Sequence, residues 1–153
     1  MNDANSIRLK LFLLNLADVF DGDIEIEKAW RRELRKVSRS NFGTEQCTLP
    51  APIISVMRQS DAHPLCDDII KMTFGWHPPE TSKSPLYTKY SIFKSHVELV
   101  GPVGLVKSKA LRLGLYGMFQ NSVYGVRTHP AEGIYIMLAV ECFWKRGDAP
   151  YCC

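Results

Sequence analysis

Four residues near the end of this chain carry side chains able to do chemistry: Tyr124, His129, Glu132 and Tyr135, all within the stretch YGVRTHPAEGIYIMLAVECFWKRGDAPY. A neutral imidazole is the commonest biological ligand for zinc, iron, nickel and copper. Pro130 fixes the backbone directly after His129. In a strand that begins near Glu132 or Gly133, side chains two apart share a face, so Gly133 and Tyr135 point one way and Glu132 the other. His129, at or before the start of that strand, can join either face. A histidine after a turn, then an acid, then a phenol on a strand is a layout by which a small β-barrel aims metal ligands into its interior.

The elements that must position these residues fall into two blocks. Residues 6–20 are densely apolar, and their run LKLFLLNLA is interrupted by Asn15 and Asp18 and followed by acids, as in a buried helix and unlike a targeting segment. Residues 25–38 form an amphipathic helix with Ile26, Trp30, Leu34 and Val37 on one face and Lys28, Arg31, Arg32, Arg35 and Lys36 on the other. Asn41-Phe42-Gly43 marks a break, and Pro50 and Pro52 bracket another. A third helix is expected over 60–74, capped by Ser60 or Asp61, with Pro64 in its first turn. Residues 75–85 read as a loop.

Strands follow. Val97 and Leu99 lie on one side of a strand over 96–100 and Glu98 on the other. Over 111–119, Leu111, Leu113, Leu115 and Gly117 share one face, and Arg112, Gly114, Tyr116 and Met118 the other. The apolar run 134–143 suits a strand buried on both faces, and Lys145-Arg146-Gly147-Asp148 makes a turn. Helices first and strands afterwards is an α+β order. It gives a helical region over 1–74 and a strand region over 75–153, packed as one globular unit.

Bulk properties narrow the function classes. A net charge of +3 does not call for a nucleic-acid partner. No apolar stretch approaches the roughly 20 residues that span a bilayer, so no membrane partner is expected. The glycines form neither a dinucleotide fingerprint nor a phosphate loop. Five cysteines, an odd number without framework spacing, fit a reducing, cytoplasmic compartment. His63 and Cys66 form an isolated HxxC pair, a weak metal signal. The terminal Cys152-Cys153 pair follows no pattern.

The stretch SPLYTKYSIFKSHVELVGPVGLVKSKALRLGLYGMFQNSVYGVRTHPAE, with the I-Y that follows, resembles the cupin superfamily, and within it the cupin-type dimethylsulfoniopropionate lyases. The resemblance covers about residues 74–151. It implies a cupin-type antiparallel barrel, here incomplete because the chain stops after the first cupin motif. It also implies a metal-dependent carbon–sulfur lyase that releases dimethyl sulfide and acrylate from dimethylsulfoniopropionate by β-elimination. His129 matches the motif histidine, Tyr135 the metal-proximal tyrosine, Tyr124 the upstream tyrosine and Glu132 the first, non-ligating glutamate. Gly133 stands where the family's ligand glutamate belongs, and Arg127 where many cupins carry a second histidine.

The expected cofactor is therefore a divalent transition metal (Zn, Fe or Mn) on His129 and Tyr135, with Glu132 as the substitute for the donor missing at Gly133. The metal would hold the carboxylate as a Lewis acid. It would also favour phenolate at Tyr135, the expected base, since a tyrosine's ordinary pKa of about 10 is too high for unaided work near neutrality. Tyr124 would be a second base or orienting hydroxyl. Tyr116 and Trp144 would line the sulfonium's place by cation–π attraction. Open barrel edges would pair two copies into a homodimer. Two other readings are a small-molecule-binding cupin without catalysis and a helical adaptor that uses the basic face of residues 25–38.

Overall fold

A computed structural model describes residues 3–36 (side chains from residue 6 on), 47–80, 82–126 and 133–152. His129, Glu132, Arg127, Val37 and Cys153 lie outside the described residues. The fold is mixed α+β. Among the described residues it comprises five helices, a 3-10 turn and one three-stranded sheet that does not close into a barrel. No helix among them is long and apolar enough to cross a membrane.

Helix α1 (Asp3–Ala17) places Leu9, Phe12, Leu13, Leu16 and Ala17 at spacings of three and four, so they form one stripe, and all are buried. Ile7 and Leu11, apolar on paper, face outward. Helix α2 (Glu25–Lys36) carries acids in its first turn and bases in its last, both favourable to the helix dipole. Trp30 and Leu34 are buried, and Trp30 stacks on Phe20 at 6.1 Å between centroids. Much of the basic face is engaged within the molecule. Arg31 donates to the carbonyls of Phe20 and Gly22 at 2.6 and 3.0 Å, which ties down the chain leaving α1, and Arg35 pairs with Asp18 at 2.8 Å. That use fits a solvated helix face better than an adaptor surface.

Two expectations about the prolines are corrected. The Pro50–Pro52 break begins a helix, α3 (Ala51–Met57), because a proline in the first turn forfeits only an N–H that has no helical partner anyway. The third expected helix is shorter than 60–74: α4 (Leu65–Lys71) has Pro64, not Ser60 or Asp61, at its N-cap. A short helix, α5 (Pro85–Thr88), and a 3-10 turn (Ser91–Phe93) then lead into the sheet.

Strand β1 (Lys94–Gly101) is central and buried along its whole length. It pairs in parallel with the two-residue β2 (Val106–Lys107) and antiparallel with β3 (Leu113–Met118), with a bulge between Glu98 and Val100. The register sets His96 opposite Tyr116 and Val97 opposite Leu115. His77 bridges the other side of β1 at His96, with N–H···O distances of 3.2 and 2.7 Å.

One face of the sheet, with Val97, Leu99 and Leu115, joins the helices in a core that includes Leu9, Leu13, Leu34, Ile53 and Phe74. That core draws on residues from both sides of position 75. Each fully buried aliphatic side chain contributes about 1.5–3 kcal/mol.

The expected strand over 134–143 is absent, which is the main correction to the fold. The backbone there is irregular; Tyr135, Ile136, Met137, Val140 and Phe143 are exposed, and only Ile134 and Leu138 pack against the core. Two physical reasons are visible. Val140 adopts φ 53°, which interrupts any extended run and is costly for a β-branched residue. The Leu138 carbonyl, instead of joining a ladder, accepts from the His63 N–H at 2.7 Å and the Cys66 thiol at 3.4 Å.

Candidate functional site

The second face of the sheet is where polar chemistry collects. Lys94, His96 and Glu98 alternate along β1 on the face opposite Val97 and Leu99, and all three are buried. Tyr116 lies opposite His96 with ring centroids 4.5 Å apart. Gly114 makes this fit: a Cβ there would come within 2.6 Å of the His96 Nε2.

Further out, Tyr116 meets Tyr124 at 5.7 Å, and their neighbour Tyr87, from α5, meets Tyr124 at 5.5 Å. The Tyr87 and Tyr116 hydroxyls lie 3.4 Å apart. Tyr124 in turn meets Tyr135 at 6.0 Å and Trp144 at 5.9 Å, and Tyr135 and Trp144 lie 4.5 Å apart with their planes at 34°. The cluster grades outward, from the fully buried Tyr87 through half-buried Tyr116, Tyr124 and Trp144 to Tyr135, which is 47% exposed.

The backbone explains how these rings are held. Tyr124 is set by Gly125, whose φ of 88° and close approach to α5 leave no room for a side chain: a Cβ would sit 2.6 Å from the Leu86 carbonyl oxygen. Trp144 is set by a small antiparallel bridge to Cys152, with N–H···O distances of 2.7 and 2.8 Å. A turn over residues 146–149, one residue later than expected, closes that bridge, with the Ala149 N–H donating to the Arg146 carbonyl at 3.1 Å and Gly147 at φ 57°.

Lys94 is the residue that sequence reasoning missed. It is only 2% exposed. Its ammonium lies 3.9 Å from the Tyr87 ring centroid and 4.9 Å from that of Tyr124, and it donates to the Tyr124 carbonyl. A lysine at the first position of a strand gives no local signal of this role. Glu98, next along the same face, accepts from the Val103 N–H at 3.0 Å and pairs with Arg112 at 3.2 Å.

Of the residues expected from sequence, Tyr116, Tyr124, Tyr135 and Trp144 come together in one cluster. His129 and Glu132 lie outside the described residues. The expected metal finds little of its donor set among the described residues: Gly133 offers no side chain, Tyr135 is packed edge-on to Tyr124 and against Trp144, and no three His, Cys, Asp or Glu side chains converge. His63 and Cys66 serve the fold instead. The His63 Nδ1 accepts from the Leu65 N–H at 3.1 Å, and burial, with Asp67 second, raises the Cys66 thiol pKa.

A separate, open concavity of about 570 Å³ lies beside Asp61, His63, Val140 and Glu141. Comparison of the chain with protein-family models, with curated proteins and with solved structures returns no match.

Proposed function

We propose that this chain is a cupin-type carbon–sulfur lyase that cleaves dimethylsulfoniopropionate to dimethyl sulfide and acrylate. One observation supports the reading above all. Four aromatic residues marked out in the sequence, spread over 29 positions from Tyr116 to Trp144, stand in continuous ring contact on one face of the sheet. A sulfonium is a soft cation, and the faces of Tyr135 and Trp144 at the open end of the cluster suit it by about 0.5–2 kcal/mol of cation–π attraction.

The proton to be removed lies on the carbon between the carboxylate and the sulfonium-bearing carbon. With the sulfonium on the outer pair, a ligand that extends inward along the cluster meets Tyr124, the middle ring, next. Tyr124 is therefore the better base of the two tyrosines, and Tyr135 a wall of the sulfonium site. A divalent metal beside the phenol would favour its phenolate form; in that form Tyr124 takes the proton, the C–H pair becomes the C=C bond of acrylate, the C–S bond breaks, and its electrons leave on sulfur. The phenol then returns its proton to solvent.

Incubating the protein with dimethylsulfoniopropionate and measuring headspace dimethyl sulfide by gas chromatography tests the reading. Release that depends on Tyr124 and is lost in Tyr124→Phe is the expected result; no release above the buffer rate sinks it. Binding without turnover is a second reading, favoured by the side-chain-free Gly133. Saturable binding with no dimethyl sulfide would select it.

A further inference from the structure

We infer that the surface formed by α5, the 3-10 turn and the segment 119–126 is a docking face for an anionic lipid bilayer, on which the protein rests peripherally. Charge is spread unevenly along this chain. Residues 81–131 hold seven lysines and arginines and a single acid, Glu98, while the remainder holds 12 basic and 15 acidic residues. Glu98 itself is buried and paired with Arg112. The net charge of +3 conceals this asymmetry, and a basic stretch of that kind suits an anionic partner. Spanning a bilayer takes a long apolar helix; resting on its surface does not.

Tertiary structure brings two acid-free pieces of that stretch side by side. The Phe119 N–H donates to the Phe93 carbonyl at 3.0 Å, and their rings lie 6.4 Å apart. Further along, Gly125 packs so closely on α5 that a Cβ would sit 2.6 Å from the Leu86 carbonyl oxygen. Together the two pieces display Leu86, Ile92, Val123 and Val126, each more than half exposed, beside the exposed Lys83 and Lys89. The Lys89 ammonium lies 5.3 Å from the ring centroid of the half-buried Tyr90. Single aliphatic side chains on a surface are ordinary; four on two adjoining acid-free segments, flanked by lysines, have the composition of an interfacial anchor. Aliphatic tips enter the acyl boundary, lysines reach up to the lipid phosphates, and a tyrosine suits the headgroup level. A protein partner is gripped chiefly by aromatic and arginine anchors, and these six positions supply none.

Co-sedimentation with vesicles tests this, using phosphatidylcholine alone and phosphatidylcholine mixed in equal parts with phosphatidylserine. The full chain is expected to pellet with the anionic vesicles at about 0.1 M salt and to be largely released at about 1 M, where the Debye length falls to about 3 Å. Lys83→Glu with Lys89→Glu should lower the partition coefficient at least about tenfold, since one lysine near an anionic surface accounts for about fivefold. Leu86→Ser with Ile92→Ser should lower it about tenfold on the same vesicles by removing the inserted tips. All four side chains are exposed, so a thermal melt close to that of wild type is the folding control. If the serine pair misfolds, the lysine pair and the lipid series still decide.

Partition onto anionic lipid alone, lost in both double variants, supports the docking face. No pelleting with either vesicle overturns it, as does equal binding to neutral and anionic lipid. Binding that survives both double variants also overturns it, because another part of the chain then carries the contact. Soluble polyglutamate that displaces the protein from vesicles, while the serine pair binds like wild type, assigns the lysines to an acidic polypeptide and overturns the bilayer as their partner.

Discussion

On β1, Val97 and Leu99 face the helices while Lys94, His96 and Glu98 face the other way, and all five are withdrawn from water. The first face needs only shape: its side chains fill space among Leu9, Leu34 and Ile53. The second must answer for every polar group it buries. Lys94 is met by Tyr87 and Tyr124, His96 lies between His77 and Tyr116, and Glu98 is met by Val103 and Arg112. Equal burial on two faces of one strand thus has two different meanings. On one it is a source of stability; on the other it is a cost, and buried charge beside an array of aromatic rings is the pattern expected of a binding site.

Substitutions can separate the faces, beginning with the largest effect. Leu99→Ala opens a cavity in the helix-facing core and should cost about 2–5 kcal/mol in urea denaturation, with ligand affinity unchanged in the folded fraction. A loss below 1 kcal/mol would mean that the apolar face is not the main source of stability. Gly125→Ala should cost about 1–3 kcal/mol, because the residue is held at positive φ against the Leu86 carbonyl. Unlike Leu99→Ala, it should also weaken binding by displacing Tyr124. Both changes together are the signature to look for.

Trp144→Leu and Tyr135→Leu should reverse the pattern, with stability within about 0.5 kcal/mol of wild type and sulfonium affinity lowered about three- to thirtyfold. A large stability loss with intact affinity would make the outer pair structural. The smallest effect belongs to Arg112→Ala. This arginine is more than half exposed, so its pair with Glu98 contributes about 0–1 kcal/mol, less in high salt.

The cysteines give a chemical check on the helical side. Burial raises the Cys66 pKa, and Asp67 adds to it, so the folded state favours the thiol. The sign follows: that contribution is complete below the unfolded thiol's pKa and is lost as pH rises through the raised folded value. Alkylation by iodoacetamide near pH 8 should therefore reach the exposed Cys47 and Cys152 first and Cys66 only on unfolding. Labelling of Cys66 at the rate of Cys47 in the folded protein would show that the 138–140 segment does not cover it.

Local spacing determined a good deal by itself. The three- and four-residue recurrence of apolar side chains marks α1 and α2, and the two-residue alternation over 111–119 assigns Leu115 and Tyr116 to opposite faces, because both periods are properties of the backbone that need no partner. The α+β order is legible from the same periods, and the turn near Gly147 is legible to within one residue. Tertiary structure decided what depends on neighbours. Whether the apolar run 134–143 becomes a strand depends on a free strand edge to receive it, and here a positive φ at Val140 and the use of the Leu138 carbonyl by His63 and Cys66 end the run. Whether Lys94 is a surface lysine or a buried cation depends on Tyr87 and Tyr124 arriving from other parts of the chain. A charge can be buried only where distant residues supply its partners, so no local pattern in the sequence records it.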